Sequence, residues 1–94
     1  MDLKLAGRLA VITGASKGIG FAAAQRLALE GCNICMIARS ADALEAAASK
    51  IRSQSDVRVT TLIADVKYPE TAESILQACP GADILVNNSG DIPP

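Results

Sequence analysis

Apolar and polar positions along the chain fall into two alternating patterns. Short runs rich in aliphatic residues read as strands: Arg8 to Thr13, Asn33 to Ala38, Val57 to Ala64 and Asp83 to Asn87. Between them lie segments with apolar residues at helical spacing. The first helix is expected from about Gly18 to Glu30, with Ile19, Ala22, Ala23 and Leu27 on one face and Gly31 as its stop. The second is expected from Ala41 to about Gln54, with Ser40 as N-cap and Leu44, Ala47, Ala48 and Ile51 buried. The third opens at Pro69 and Glu70, carries Ala72, Ile75, Leu76 and Cys79 at helical spacing, and stops at Pro80-Gly81.

The order β-α-β-α-β-α-β implies parallel strands joined by crossover helices. The second strand is apolar on both faces, as suits a buried parallel strand. The third alternates at its start, Val57 and Val59 against Arg58 and Thr60, which suits an edge. Right-handed crossovers place the strands in the order 3-2-1-4, a doubly wound α/β sheet. Its ligand crevice lies beyond the carboxyl ends of strands 1 and 4, where the order switches.

Two motifs emerge at that end. Strand 1 leads into Thr13-Gly14-Ala15-Ser16-Lys17-Gly18-Ile19-Gly20, a strand, glycine turn and helix in sequence. Glycines permit positive φ and close approach of backbone to ligand, and the helix N-terminus attracts an anion. Strand 4 leads into Asn88-Ser89-Gly90. The spacing Gly14-x3-Gly18-x-Gly20 differs from the general dinucleotide fingerprint, G-x-G-x-x-G. Taken singly, each motif also suits a plain loop or turn; their convergence on one crevice favours a nucleotide site.

Composition narrows the reading. The chain has 94 residues, half of them hydrophobic, with Phe21 and Tyr68 its two aromatics, so one small aliphatic core is expected. A net charge of −1 offers no basic patch for nucleic acid, and no apolar run is long enough for a membrane. The N-terminal residues lack the apolar stretch of an export signal, which makes the cytoplasm the expected location. Cys32, Cys35 and Cys79 are therefore expected to be free thiols packed in the interior. Cys32 and Cys35, three apart at a strand, should face opposite ways, against a metal or redox pair.

The identity of a nucleotide is written at the end of strand 2. An NAD site places an Asp or Glu about twenty residues beyond the glycine turn. Here stand Ala38-Arg39-Ser40, with no acid. Arg39 offers a fork suited to a 2′-phosphate, Lys17 a second cation and Ser40 a hydroxyl. NADP(H) is expected over NAD.

From Gly7 to Gly90 the chain resembles the short-chain dehydrogenases/reductases. The resemblance rests on Thr13 to Gly20, the Arg39 position, Asp65-Val66, and Asn87-Asn88-Ser89-Gly90, in that order. It implies a Rossmann fold and hydride transfer between a nicotinamide cofactor and a small carbonyl or alcohol substrate. It implies cofactor contacts from Gly14, Ser16, Lys17, Gly18, Ile19 and Gly20. Asp65 would meet the adenine amino group, with Val66 beside the ring. Asn88, Ser89 and Gly90 would line the cofactor, and the Asn87–Gly90 segment would support the sheet. Ser89 departs from the family's usual alanine.

Complete members are well over twice this length. Their catalytic Ser and Tyr-x-x-x-Lys fall beyond Pro94, and Tyr68 is followed four residues later by Ala72, so no catalytic residue is assigned. The expectation is the N-terminal, cofactor-binding part of a single Rossmann domain, truncated after its fourth strand and not catalytically complete. The parent protein would be a homo-oligomeric enzyme. A 94-residue product alone is expected to self-associate or need a partner, because strand 4 would be an open apolar edge. The alternatives are a short noncatalytic nucleotide-binding or interaction module, and an unrelated doubly wound protein.

Overall fold

A computed structural model describes residues 5–65 and 70–87. It contains β1 (Leu9–Thr13), α1 (Gly18–Leu29), β2 (Asn33–Ala38), α2 (Ala41–Gln54), β3 (Val59–Ile63), α3 (Glu70–Ala78) and β4 (Ile84–Val86). β2 and α2 have the bounds expected from the sequence. β1, β3 and β4 are shorter, because their outer residues lie beyond the paired ladder. The expected helix opening at Pro69 lies outside the described residues.

The four strands form one parallel sheet in the order β3-β2-β1-β4. Val11 stands opposite Cys35 on one side and Leu85 on the other, so β1 and β2 are the central strands. Alternation along these strands divides the interior in two. Ala10, Ile12, Ile34, Met36 and Ala38 face α1 and α2, where they meet Ala24, Ala28, Leu44, Ala48 and Ile51. Val11, Cys35 and Ile37 face the other way and pack with Cys79 and the half-buried Ile75 of α3. Leu44 and Ile51 are about fully buried; each contributes roughly 2 kcal/mol from the apolar area it removes from water.

Three details differ from the sequence reading. The inner face of α1 is Gly20, Ala24 and Ala28, and Ile19 is 77% exposed. Small residues four apart let the helix axis approach the sheet closely, and this turns Ile19 outward. Ser40 does occupy the N-cap position of α2, but its side chain makes no capping hydrogen bond; its carbonyl accepts from the Leu44 N–H at 3.0 Å. The cysteines are not all free. Cys35 and Cys79 are joined by a disulfide, their Cα atoms 6.7 Å apart, while Cys32 is a buried free thiol. α3 brings Cys79 onto the face where Cys35 points, a meeting across 44 residues that spacing along the chain does not reveal. Cys32 lies in the opposite core, so Cys32 and Cys35 do face opposite ways.

α1 ends as the sequence implies. Gly31 has φ +96°, its N–H donates to Ala28 O at 3.0 Å, and the Cys32 N–H donates to Leu27 O at 3.0 Å. These paired bonds are the Schellman arrangement, which satisfies carbonyls that the helix end leaves open.

Candidate functional site

The carboxyl ends of the strands gather most of the chemistry-bearing residues. Gly14 follows β1, Arg39 and Ser40 follow β2, Asp65 follows β3, and Asn87 follows β4. The strand pairings hold these ends side by side: Thr13 stands opposite Ile37, Ala38 opposite Ile63, and Ile12 opposite Val86.

The turn after β1 is pinned from below. The Ala15 N–H donates to the Ile37 carbonyl at 3.1 Å, and Ala15 is completely buried. Gly14 and Gly18 adopt φ +61° and +62°, the left-handed region in which a side chain costs roughly 1–2 kcal/mol. Nothing lies within 4 Å of where a Cβ on Gly18 would stand, so its surroundings are open. Lys17 is the extended N-cap of α1 and supplies no side-chain cap, and the first turn carries no acid. The first-turn N–H groups thus present the positive end of a 12-residue helix to the crevice. Lys17 and Ile19 are exposed there, Ser16 is partly covered, and Gly20 is buried where α1 meets the sheet.

On the next strand, Arg39 and Ser40 are exposed. Arg39 forms no ion pair among the described residues. Asp65 lies two residues past β3 and is partly buried. Val66, Asn88, Ser89 and Gly90 lie outside the described residues.

One feature of this end was not singled out from the sequence. The Thr13 hydroxyl donates to Asn87 Oδ1 at 3.3 Å, joining the ends of β1 and β4. A polar residue closing each of two adjacent apolar strands was the available signal. Among the described residues no group of His, Cys, Asp and Glu is placed to hold a metal ion, and no helix is long and apolar enough to cross a membrane.

A glycine turn between β1 and α1, at the switch point of a 3-2-1-4 parallel sheet, is a nucleotide-binding geometry. The short chain dehydrogenase family model matches residues 8–93. The chain belongs to the short-chain dehydrogenase family. It is 39% identical over 91 residues to 3-dehydrosphinganine reductase TSC10A of Arabidopsis thaliana, covering 96% of this chain and 28% of that protein. It is 32% identical over 94 residues to a 3-oxoacyl-(acyl-carrier-protein) reductase of Aquifex aeolicus, covering 96% of this chain and 38% of that protein. Among solved structures it is similar to L-sorbose reductase from Gluconobacter frateurii, complexed with NADPH and L-sorbose. There the TM-score is 0.88 and the identity 44%, over 97% of this chain and 36% of that one. The chain thus spans about a third of the length of these short-chain dehydrogenase relatives. What it shares with them is the β-α-β-α-β-α-β portion that carries the glycine turn.

Proposed function

We propose that this chain is the cofactor-binding portion of an NADP-dependent oxidoreductase. The whole protein would move a hydride between NADPH and a small carbonyl or alcohol substrate and assemble as a homo-oligomer. Arg39 carries the choice of NADP. It is exposed at the end of β2, beside a glycine turn that Ala15 ties to β2 itself, and no carboxylate holds the position. A carboxylate there would accept a ribose 2′-hydroxyl and repel a 2′-phosphate; a guanidinium favours the phosphate with paired, charge-assisted hydrogen bonds. The sorbose reductase complex with NADPH, at 44% identity, supports the same reading.

When bound, the cofactor supplies the hydride. This chain's own residues supply its berth. Gly14, Ser16, Lys17, Gly18, Ile19 and Gly20 would take the pyrophosphate, with the α1 N-terminus as electrostatic anchor. Arg39, Ser40 and Lys17 would hold the 2′-phosphate, Asp65 and Val66 the adenine, and Asn88, Ser89 and Gly90 the nicotinamide side. No residue of this chain is assigned to proton transfer.

Titration of the intact protein with NADPH and with NADH, followed by cofactor fluorescence, tests the proposal. NADPH should bind at least about tenfold tighter, the worth of one charge-assisted pairing. Tighter binding of NADH would overturn the NADP assignment. Binding of neither would return the chain to the reading of an interaction module.

A further inference from the structure

The end of the sheet opposite the glycine turn carries a second arrangement. A cavity of about 290 Å³ opens near the amino ends of β1, β2 and β3. Cys35 and Cys79 both line it, with Asn33, Arg58, Thr60 and Pro80. Its size is at the small end of ligand pockets. The disulfide therefore sits in the wall of a cavity, although both cysteines are buried from bulk solvent.

The disulfide also has a mechanical place. On the α3 side of the sheet the buried residues, among those described, are Val11, Cys35, Ile37 and Cys79, with Ile75 of α3, Leu9, Leu62 and Ala64 packed against them. Among the described residues, the α1 and α2 side has the larger apolar core. The covalent tie from Cys79 joins the end of α3 to β2 within this cluster.

We propose that the Cys35–Cys79 disulfide is a reversible clasp on α3, opened by a small anionic thiol that enters through this cavity. The thiolate attacks Cys79 Sγ, the less buried of the two at 4% exposure against 0%. The Cys35–Cys79 S–S bond breaks, Cys35 leaves as a thiolate and takes a proton, and a mixed disulfide forms on Cys79. A second thiolate attacks the small-molecule sulfur, releases Cys79 as a thiolate that is then protonated, and leaves as a small-molecule disulfide. In sum, one protein disulfide is reduced to two thiols and two small thiols are oxidised to one disulfide. Arg58 gives the cavity a positive charge, which favours an anionic thiol over a neutral one. Closing and opening leave the Ala15–Ile37 bond and the glycine turn in place, so the clasp governs α3 rather than the fold as a whole.

The test uses the intact protein, with reduced glutathione as the anionic thiol and 2-mercaptoethanol as the neutral one. Alkylation before reduction, followed by peptide mapping, should show Cys35 and Cys79 in one linked species that excess glutathione opens without unfolding the protein. Arg58→Glu should slow opening by glutathione about threefold relative to 2-mercaptoethanol, the screened effect of a two-charge change near the attacking thiolate. Arg58→Gln should fall between. Hydrogen exchange in α3 should quicken at least about tenfold on opening, while β1 and β2 stay protected. Separately alkylated cysteines in protein equilibrated with excess oxidised glutathione would overturn the clasp. So would a linkage that excess glutathione leaves intact in the folded protein, or α3 exchange that is the same in both states. An unchanged glutathione to 2-mercaptoethanol ratio in Arg58→Glu would overturn entry through the cavity.

Discussion

The Thr13 hydroxyl and the Asn87 side-chain oxygen meet at 3.3 Å across 74 residues of sequence, at the point where β1 and β4 both end. The bond fixes the end of β4 to its only strand neighbour among the described residues. It is partly buried and rather long, so its net worth lies near the lower end for a neutral pair, about 0.5–1 kcal/mol. A double-mutant cycle with Thr13→Val and Asn87→Ala, read from urea midpoints of the intact protein, should return a coupling of that size. Effects that simply add would show that the two groups do not stabilise each other.

Cofactor preference should turn on one side chain. Arg39→Asp replaces a fork suited to a phosphate with a group that repels it and accepts from a ribose hydroxyl. The ratio of NADPH to NADH affinity should fall at least about a hundredfold, because a charge-assisted contact worth roughly 1.5–3 kcal/mol is lost and a repulsion is added. Stability should change little, since Arg39 is exposed and forms no ion pair among the described residues. An unchanged ratio, measured by fluorescence titration, would remove Arg39 from the site.

The sequence made the sheet and its order legible because those depend on pattern. Ile34 to Ala38 is apolar on both faces, as a covered strand requires; Ala41 to Gln54 places Leu44, Ala47, Ala48 and Ile51 on one stripe. The phase of α1 was less legible. In Gly18–Leu29 alanines lie on every side, and which ones face inward is set by how closely the helix can approach the sheet. That distance rewards Gly20, Ala24 and Ala28 over the larger Ile19. The cysteine pairing was hidden for a different reason. It depends on where α3 ends above β2, a tertiary relation between Cys35 and Cys79 that neither local segment encodes. At the candidate site, the glycine turn and Arg39 were readable as motif and position. The Thr13–Asn87 bond required the strand register.

Cys32 should behave as an inert thiol with a stability signature at alkaline pH. Burial pushes its pKa up, and Asp83 and Glu30 push the same way against the opposing effect of Arg8. Its Sγ also donates to the Leu5 carbonyl at 3.4 Å. The folded state therefore holds the thiol proton more tightly than the unfolded state. The stabilisation this brings is complete below the pKa of the unfolded thiol and is lost as pH rises through the higher folded value. Between roughly pH 8 and pH 10 the native protein should lose more stability than Cys32→Ala does. Parallel pH dependence in the two would show that Cys32 does not titrate differently on folding.

Two glycines with similar backbone angles should respond differently to alanine. Gly31 and Gly81 have φ of +96° and +80°, so each substitution carries a left-handed cost of roughly 1–2 kcal/mol. At Gly81 nothing lies within 4 Å of the new methyl, and the cost should stop there. At Gly31 the methyl would stand 3.1 Å from Ala6 Cα and 3.2 Å from Ala6 Cβ. The first of these is backbone, held nearby because the Gly7 N–H donates to the Gly31 carbonyl at 3.1 Å. Relief would mean moving the segment that leads into β1, which adds roughly 1–3 kcal/mol of overpacking. Gly31→Ala should therefore destabilise by about 2–5 kcal/mol and Gly81→Ala by about 1–2 kcal/mol in denaturant melts of the intact protein. Equal losses would mean that the lead-in at Ala6 yields freely, and that the Schellman turn after α1 is not braced against it.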